Sequence, residues 1–230
     1  MRERMKTTAI LLVLLVVTGL ASYKQQLDRK GLVYAQSLDM VALTVDDVDL
    51  YLRDMAVYVA YQEKTVQQDA LVYNPENPQK YWNAYTNQYF VRSVAEKAVK
   101  SMAVHDEIFY QKALAEELEL DESEEAYLAN EIQDFFMDMS EEQLERLGVQ
   151  KEELVASMRK IALANKYQSI LAQIENVEYT EYDYTGAAYE ALLAEHTIEE
   201  NEKVWDRISV GNITVNYKKE SAAKDAAKKE

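Results

Sequence analysis

Carboxylates are the only abundant reactive groups in this chain, and their spacing speaks for structure before chemistry. There are 41 acidic side chains against 25 basic ones, two histidines and no cysteine. The lack of thiols removes disulfides, thiolate metal sites and cysteine nucleophiles from consideration. His105 and His196 are too far apart in sequence to form a paired metal motif on one helix, and no serine sits in a nucleophile elbow. Asp46, Asp47 and Asp49 crowd one expected helix start, and residues 121–125 (Asp-Glu-Ser-Glu-Glu) crowd another. Negative charge is favoured there by the helix dipole, and neither group has the glycine and alternating oxygen ligands of a calcium loop. His105 falls on or beside an apolar helical stripe, where a hydrogen-bonded structural role is expected. The residues therefore point to a protein without catalysis, cofactor or metal. An enzyme reading survives only as hydrolysis by a carboxylate pair, and no spacing singles out such a pair.

The unusual inventory is aromatic. Seventeen tyrosines accompany four phenylalanines and two tryptophans. Tyr73, Tyr81, Trp82, Tyr85, Tyr89 and Phe90 gather around the only proline-bearing stretch, and Tyr179, Tyr182, Tyr184 and Tyr189 form a second group. Tyrosine and tryptophan combine broad apolar contact with a polar tip, which suits adaptable binding surfaces. They can equally fill a core poor in phenylalanine. As contact residues, Tyr81, Trp82, Tyr85, Tyr89 and Phe90 are the candidates. Met55, Met102, Met137, Met139 and Met158 add pliable apolar surface, most of it expected in the core.

The elements that must carry these residues are mainly helical. Five glycines and two prolines in 230 residues argue against a loop-rich all-β fold. Residues 1–21 pair a basic start (Arg2, Arg4, Lys6) with an apolar run and a small-residue site at Gly19-Leu20-Ala21. This is the pattern of a signal peptide or a retained N-terminal membrane anchor, so the body is expected outside the cytoplasm, secreted or held at the outer face of the cytoplasmic membrane. The remainder carries 22 bases and 40 acids. That balance disfavours nucleic acid and leaves membrane contact to the N-terminal segment alone.

Residues 22–37 read as a spacer and 40–43 as a short strand. Thr44 and Asp47 have capping-box spacing and predict a helix carrying Val48, Leu52, Met55 and Val59 on one face. Residues 74–78 must be a loop, and a long helix is expected over 81–119, with Val91, Ala95, Ala98, Met102 and Phe109 in its stripe. A helix starting near Asp121 repeats Leu128, Ile132, Phe135, Phe136 and Met139. Ser140 caps a short helix ending at Leu147-Gly148. The next helix, over 151–174, places Leu154, Met158 and Ile161 on one stripe and Leu163, Tyr167, Ile170, Leu171 and Ile174 on a rotated one. That rotation predicts either two packing partners or one wide buried face. Gly211-Asn212 between alternating segments predicts a β-hairpin over 205–217, with Ile208, Val210, Ile213 and Val215 on its apolar side. Residues 218–230, rich in lysine and alanine, read as a solvated, disordered tail.

The order of these pieces resembles a known family. "HDEIFYQKALAEELELDESEEAYLANEIQDFF", then "MSEEQLERLGVQKEELVASMRKIALANKYQSIL", is similar to the helical chaperone domain of SurA- and PrsA-type extracytoplasmic folding factors, and more distantly to the C-terminal domain of trigger factor. The likeness spans residues 40–174 and rests on Ala115 to Leu120 before an acidic helix start, and on the Leu147–Leu154 turn into a long helix. Family members commonly carry a parvulin-type prolyl isomerase domain after this region; residues 175–230 are too few to hold one, so no isomerase site is carried over. The resemblance implies an extended helical chaperone-like domain over 38–217 that binds unfolded or nascent exported polypeptides in a cradle. Two other classes compete: a scaffold or assembly subunit, anchored at the membrane and shaped for one envelope protein, and a carbohydrate-stacking platform built on the aromatic cluster.

Overall fold

A computed structural model describes residues 31–216. The expected segments 1–21 and 218–230 lie outside the described residues. Among those described, no helix is long and apolar enough to cross a membrane.

The fold is mainly α with a small β element, which contains the strand expected over 40–43 but is not the expected C-terminal hairpin. Strands β1 (Val41–Val45), β2 (Val48–Tyr51) and β5 (Ile198–Glu200) form an antiparallel sheet in the order β2-β1-β5. The first expectation to fall is the helix opening at Thr44. Asp46 adopts a left-handed conformation (φ 52°) that an Asp side chain tolerates, and the chain reverses there into β2. Thr44 Oγ1 donates to Asp49 across the strands at 2.7 Å and caps nothing. Of the four positions assigned to that helix face, Leu52, Met55 and Val59 are buried and Val48 is half-buried, but only Val59 is helical.

The Asp46 carboxylate accepts from His196 Nδ1 (2.7 Å) and from the Thr197 N–H (2.9 Å), clasping the turn to the start of β5. The His196 contact, then that of Thr197, holds this carboxyl below its ordinary value. A lowered carboxyl contributes stability that is fully present above the unfolded value and is lost as pH falls through the folded one. Asp46→Asn keeps the backbone tolerance and removes the titration. Its melting temperature should lie below that of the wild type at neutral pH, and the gap should close below about pH 4; a gap independent of pH would show that the clasp is not electrostatic.

Helix α1 (Ala56–Tyr73) leads through the proline loop to a single turn, α2 (Gln79–Trp82). The long helix expected from residue 81 begins ten residues later, as α3 (Val91–Ala115). Between them β3 (Tyr85–Thr86) and β4 (Tyr89–Phe90) make a minimal hairpin, whose turn residues Asn87 and Gln88 both have positive φ. Glutamine is a poor cue for that turn, so the run reads as helix until a structure is seen.

Local rules serve better afterwards. Asp121 caps α4 (Glu122–Asp138) by accepting from the Ser123 and Glu124 N–H groups, and Glu124 returns the contact. Ser140 does the same with Gln143 for α5 (Glu141–Leu147), which ends in left-handed Gly148 at φ 68°. Gly148 lies so close to Ala35 that a Cβ would be 2.5 Å from the Ala35 Cβ. The spacer reading is therefore corrected for its described part: Tyr34 is buried, and its hydroxyl donates to Leu52 O at 2.5 Å.

Helix α6 (Lys151–Glu175) lies along α3, and buried alanines at 103, 113, 164 and 172 let the two backbones approach. It also meets α1, α4 and a 3-10 turn at Tyr179–Tyr182, which explains its rotating stripe by several partners. Helices α7 (Ala187–Leu193) and α8 (Glu202–Trp205) complete the order, and Trp205 Nε1 donates to Ala42 O at 2.8 Å.

The C-terminal hairpin expected over 205–217 does not form. Its four apolar residues are buried, but so is Thr214 between two of them, and the segment is a helical turn followed by irregular turns. The cause is a buried carboxylate. Glu63, on α1, accepts from the N–H groups of Gly211, Ile213 (3.1 Å) and Thr214 (2.5 Å), and from Thr214 Oγ1 at 2.6 Å. The segment's carbonyls are met from the side: Arg146 donates to Ile213 O at 2.7 Å, Gln143 to Thr214 O at 3.1 Å, and Arg92 to Val210 O. With donors and acceptors satisfied this way, no cross-strand ladder is required.

Candidate functional site

A cleft of about 1280 Å³ lies between two helical walls. One wall is α1, presenting Tyr58, Tyr61, Lys64 and Leu71; the other is α4, presenting Tyr127, Leu128, Glu131, Asp134 and Phe135. Met158 and Ile161 of α6 form the floor, which continues through Gln168 to Tyr179, Asp183 and Tyr184.

The α4 wall is held by its ends and a few ion pairs. Arg159 of α6 grips Glu125 through both terminal guanidinium nitrogens, the second at 2.8 Å. Lys166 donates to Glu119 O (2.9 Å) and to Glu124 (2.6 Å). Across the opening, Lys64 of α1 pairs with Asp138 of α4 at 2.5 Å. Helix α4 has a periodic apolar stripe over 17 residues, yet Leu128 is its only buried side chain. A stripe of that length ordinarily faces a core. Here Leu128, Phe135 and Met139 line the cleft, and Phe135, Phe136 and Met139 are only partly covered by the core.

The polar groups of the floor orient one another. Asp106 accepts from His105 Nδ1 at 2.7 Å, and His105 Nε2 lies 2.8 Å from Tyr182 O. Both ring nitrogens thus have polar partners, which fix the ring's orientation. Gln168 donates to Tyr179 O (3.2 Å) and to Asp183 (3.0 Å). Burial, and then the nearby carboxylates Asp183 and Asp106, push the Tyr179 phenol up to about 12. Burial and Asp106 raise the Tyr58 phenol strongly as well. These phenols stay neutral and serve as hydrogen-bonding apolar surface. The floor carboxylates are engaged by His105 and Gln168 and fix the turn at 179–184. Among the described residues no three histidine or acidic side chains converge as a metal ion would require.

The structure divides the sequence-derived contact residues. Trp82 is corrected: it is 0% exposed, its Nε1 donates to Gln67 at 2.9 Å, and Arg92 lies over its ring. Tyr81 is half-buried and leans on Tyr73, with ring centroids 5.4 Å apart. Tyr85, Tyr89 and Phe90 are exposed by 64%, 64% and 53%, on the β3–β4 hairpin. None of the five lines the cleft. In the second tyrosine group, Tyr179 and Tyr184 do line it, while Tyr189 is buried against His105 and Phe109.

The cleft residues themselves were visible in sequence only as a stripe destined for a core. The available signal was local: Glu131, Asp134 and Asp138 interleave with that stripe more densely than a core-facing helix favours. No protein-family model, curated protein or solved structure matches the chain.

Proposed function

We propose that this chain is an exported, chaperone-like protein that binds unfolded or assembling polypeptide segments without catalysis, and that the α1–α4 cleft is where they bind. The observation that carries the reading is the α4 wall: a capped, 17-residue amphipathic helix lines the cleft with an exposed Tyr127 and a half-buried Phe135 beside the buried Leu128. Exposed apolar surface rimmed by polar groups is the usual mark of an interaction site. The floor adds Met158 and the wall Tyr61, side chains that adapt to varied partners at little conformational cost. The resemblance of residues 40–174 to SurA- and PrsA-type chaperone domains agrees with this reading.

Binding of the chain to a panel of unfolded proteins and to a peptide array tests it. Micromolar binding to many apolar or aromatic-rich segments is expected. Tyr127→Ser together with Phe135→Ser should weaken that binding about tenfold while leaving helical circular dichroism unchanged, since contact residues at the centre of a site carry most of its energy. Silence across the panel from folded protein would sink the proposal.

A second reading, a membrane-anchored scaffold with one envelope partner, is favoured by the β3–β4 hairpin. Tyr85 and Phe90 meet edge to face at 5.1 Å and stand exposed with Tyr89 outside the cleft. A preorganised aromatic patch of that kind suits one shaped surface.

A further inference from the structure

The charge of the cleft narrows what it can take. Its two lysines are already engaged within the protein, Lys64 with Asp138 and Lys166 with Glu124. On the α4 wall, Glu131 and Asp134 are exposed and have no cationic partner among the described residues. They lie one helical turn apart, on the same wall as Tyr127, Leu128 and Phe135. The opposite wall supplies no free cation to answer them. A segment entering this cleft therefore meets apolar side chains and uncompensated negative charge together.

We infer that the cleft selects polypeptide segments in which lysine or arginine stands next to large apolar side chains, the cations pairing with Glu131 and Asp134 and the apolar groups packing on Phe135, Met158 and Ile161. This rests on the reading of the cleft as a polypeptide site and specifies its substrate class. Three observations support a polypeptide as the occupant. A volume of about 1280 Å³ exceeds what small-molecule pockets ordinarily enclose. The site lies between the α1 and α4 helices, the kind of groove in which helical or extended peptides dock. Its unpaired carboxylates stand on the exposed α4 wall, while the floor carboxylates Asp106 and Asp183 are engaged by His105 and Gln168. A compact polar ligand would find few free partners deep in the cleft. An anionic segment would face the α4 carboxylates with no compensating base, and like charges brought together in this way reject a partner.

The test uses three fluorescent synthetic peptides of one length with the same apolar residues, carrying two lysines, two glutamines or two glutamates, titrated into the chain at low salt. The lysine peptide should bind about tenfold more tightly than the glutamate peptide, the effect expected of two partly exposed ion pairs. That preference should shrink at high salt as screening lengths shorten. Glu131→Gln with Asp134→Asn should abolish it while leaving the glutamine peptide's affinity unchanged; both positions are exposed, so the fold should be retained. Equal affinity for all three peptides would overturn the inference and leave the polypeptide reading standing. A lysine preference that survives the double substitution would overturn the assignment to these carboxylates. Failure of all three peptides to bind folded protein would remove the polypeptide reading and this inference with it. Pairing of two copies of the chain through the cleft, seen as a dimer by sedimentation, would name a second chain as the occupant and also overturn it.

Discussion

Glu63→Ala should destabilise the protein by about 3–5 kcal/mol, the range seen when a buried charged group is removed from partners that stay behind. The Glu63 carboxylate is fully buried and takes four donated hydrogen bonds from Gly211, Ile213 and Thr214. Alanine leaves three backbone N–H groups and a hydroxyl without acceptors in a site closed to water, and each such orphan costs about 1–3 kcal/mol before relaxation. Burial pushes its carboxyl above the ordinary value, while the Thr214 contacts, then those of Ile213 and Gly211, pull it back. Glutamine offers a graded comparison. Its amide oxygen can replace Oε1 toward Gly211 and Ile213, but its NH₂ would then face the two Thr214 donors. Glu63→Gln should cost about 1–3 kcal/mol, roughly the penalty of leaving one end of the contact unmade. Urea unfolding followed by circular dichroism measures both. A loss below about 1 kcal/mol for alanine would mean that the segment 206–216 docks by apolar packing alone.

Trp82→Ala should cost about 3–5 kcal/mol by the same measurement, as for other large aromatic side chains removed from a core. The indole is wholly buried, its N–H is spent on Gln67, and Gly211 lies flat against its ring. A Cβ at Gly211 would come within 2.4 Å of that ring, and the φ of 94° there also resists any side chain. Glu63, Trp82 and Gly211 therefore form one lock: the carboxylate holds the backbone of the C-terminal turn, and the indole forms the surface on which that turn lies. The neighbouring hairpin offers the contrast. Tyr85, Tyr89 and Phe90 changed together to serine should shift stability far less than Trp82→Ala, because exposed side chains contribute little packing. If that triple variant loses one specific partner while keeping peptide binding in the cleft, the scaffold reading gains what the chaperone reading does not explain. Equal destabilisation by both variants would show that the hairpin is part of the core.

Where the sequence could be read, the governing contacts were short in range. Asp121 and Glu124, Ser140 and Gln143, and Gly148 after Leu147 each settle a helix end through partners within a few residues, so α4, α5 and α6 were legible with nearly correct bounds. Hydrophobic alternation likewise marked Ile208, Val210, Ile213 and Val215 as buried, and they are. Alternation reports which side chains leave water; it does not report what satisfies the backbone between them. Only the folded chain supplied Glu63, from a helix some 150 residues earlier, to take the N–H groups that a second strand would have taken. In the sequence that residue is one of many acids, with nothing local to mark it as buried. Trp82 misled for the same reason: an indole beside exposed tyrosines reads as surface until Gly211 closes over it. The cleft is the third case. The α4 stripe marks an apolar helix face, but whether such a face meets a core or an opening depends on where the other helices stand. The α3–α6 packing and the Lys64–Asp138 pair decide that here.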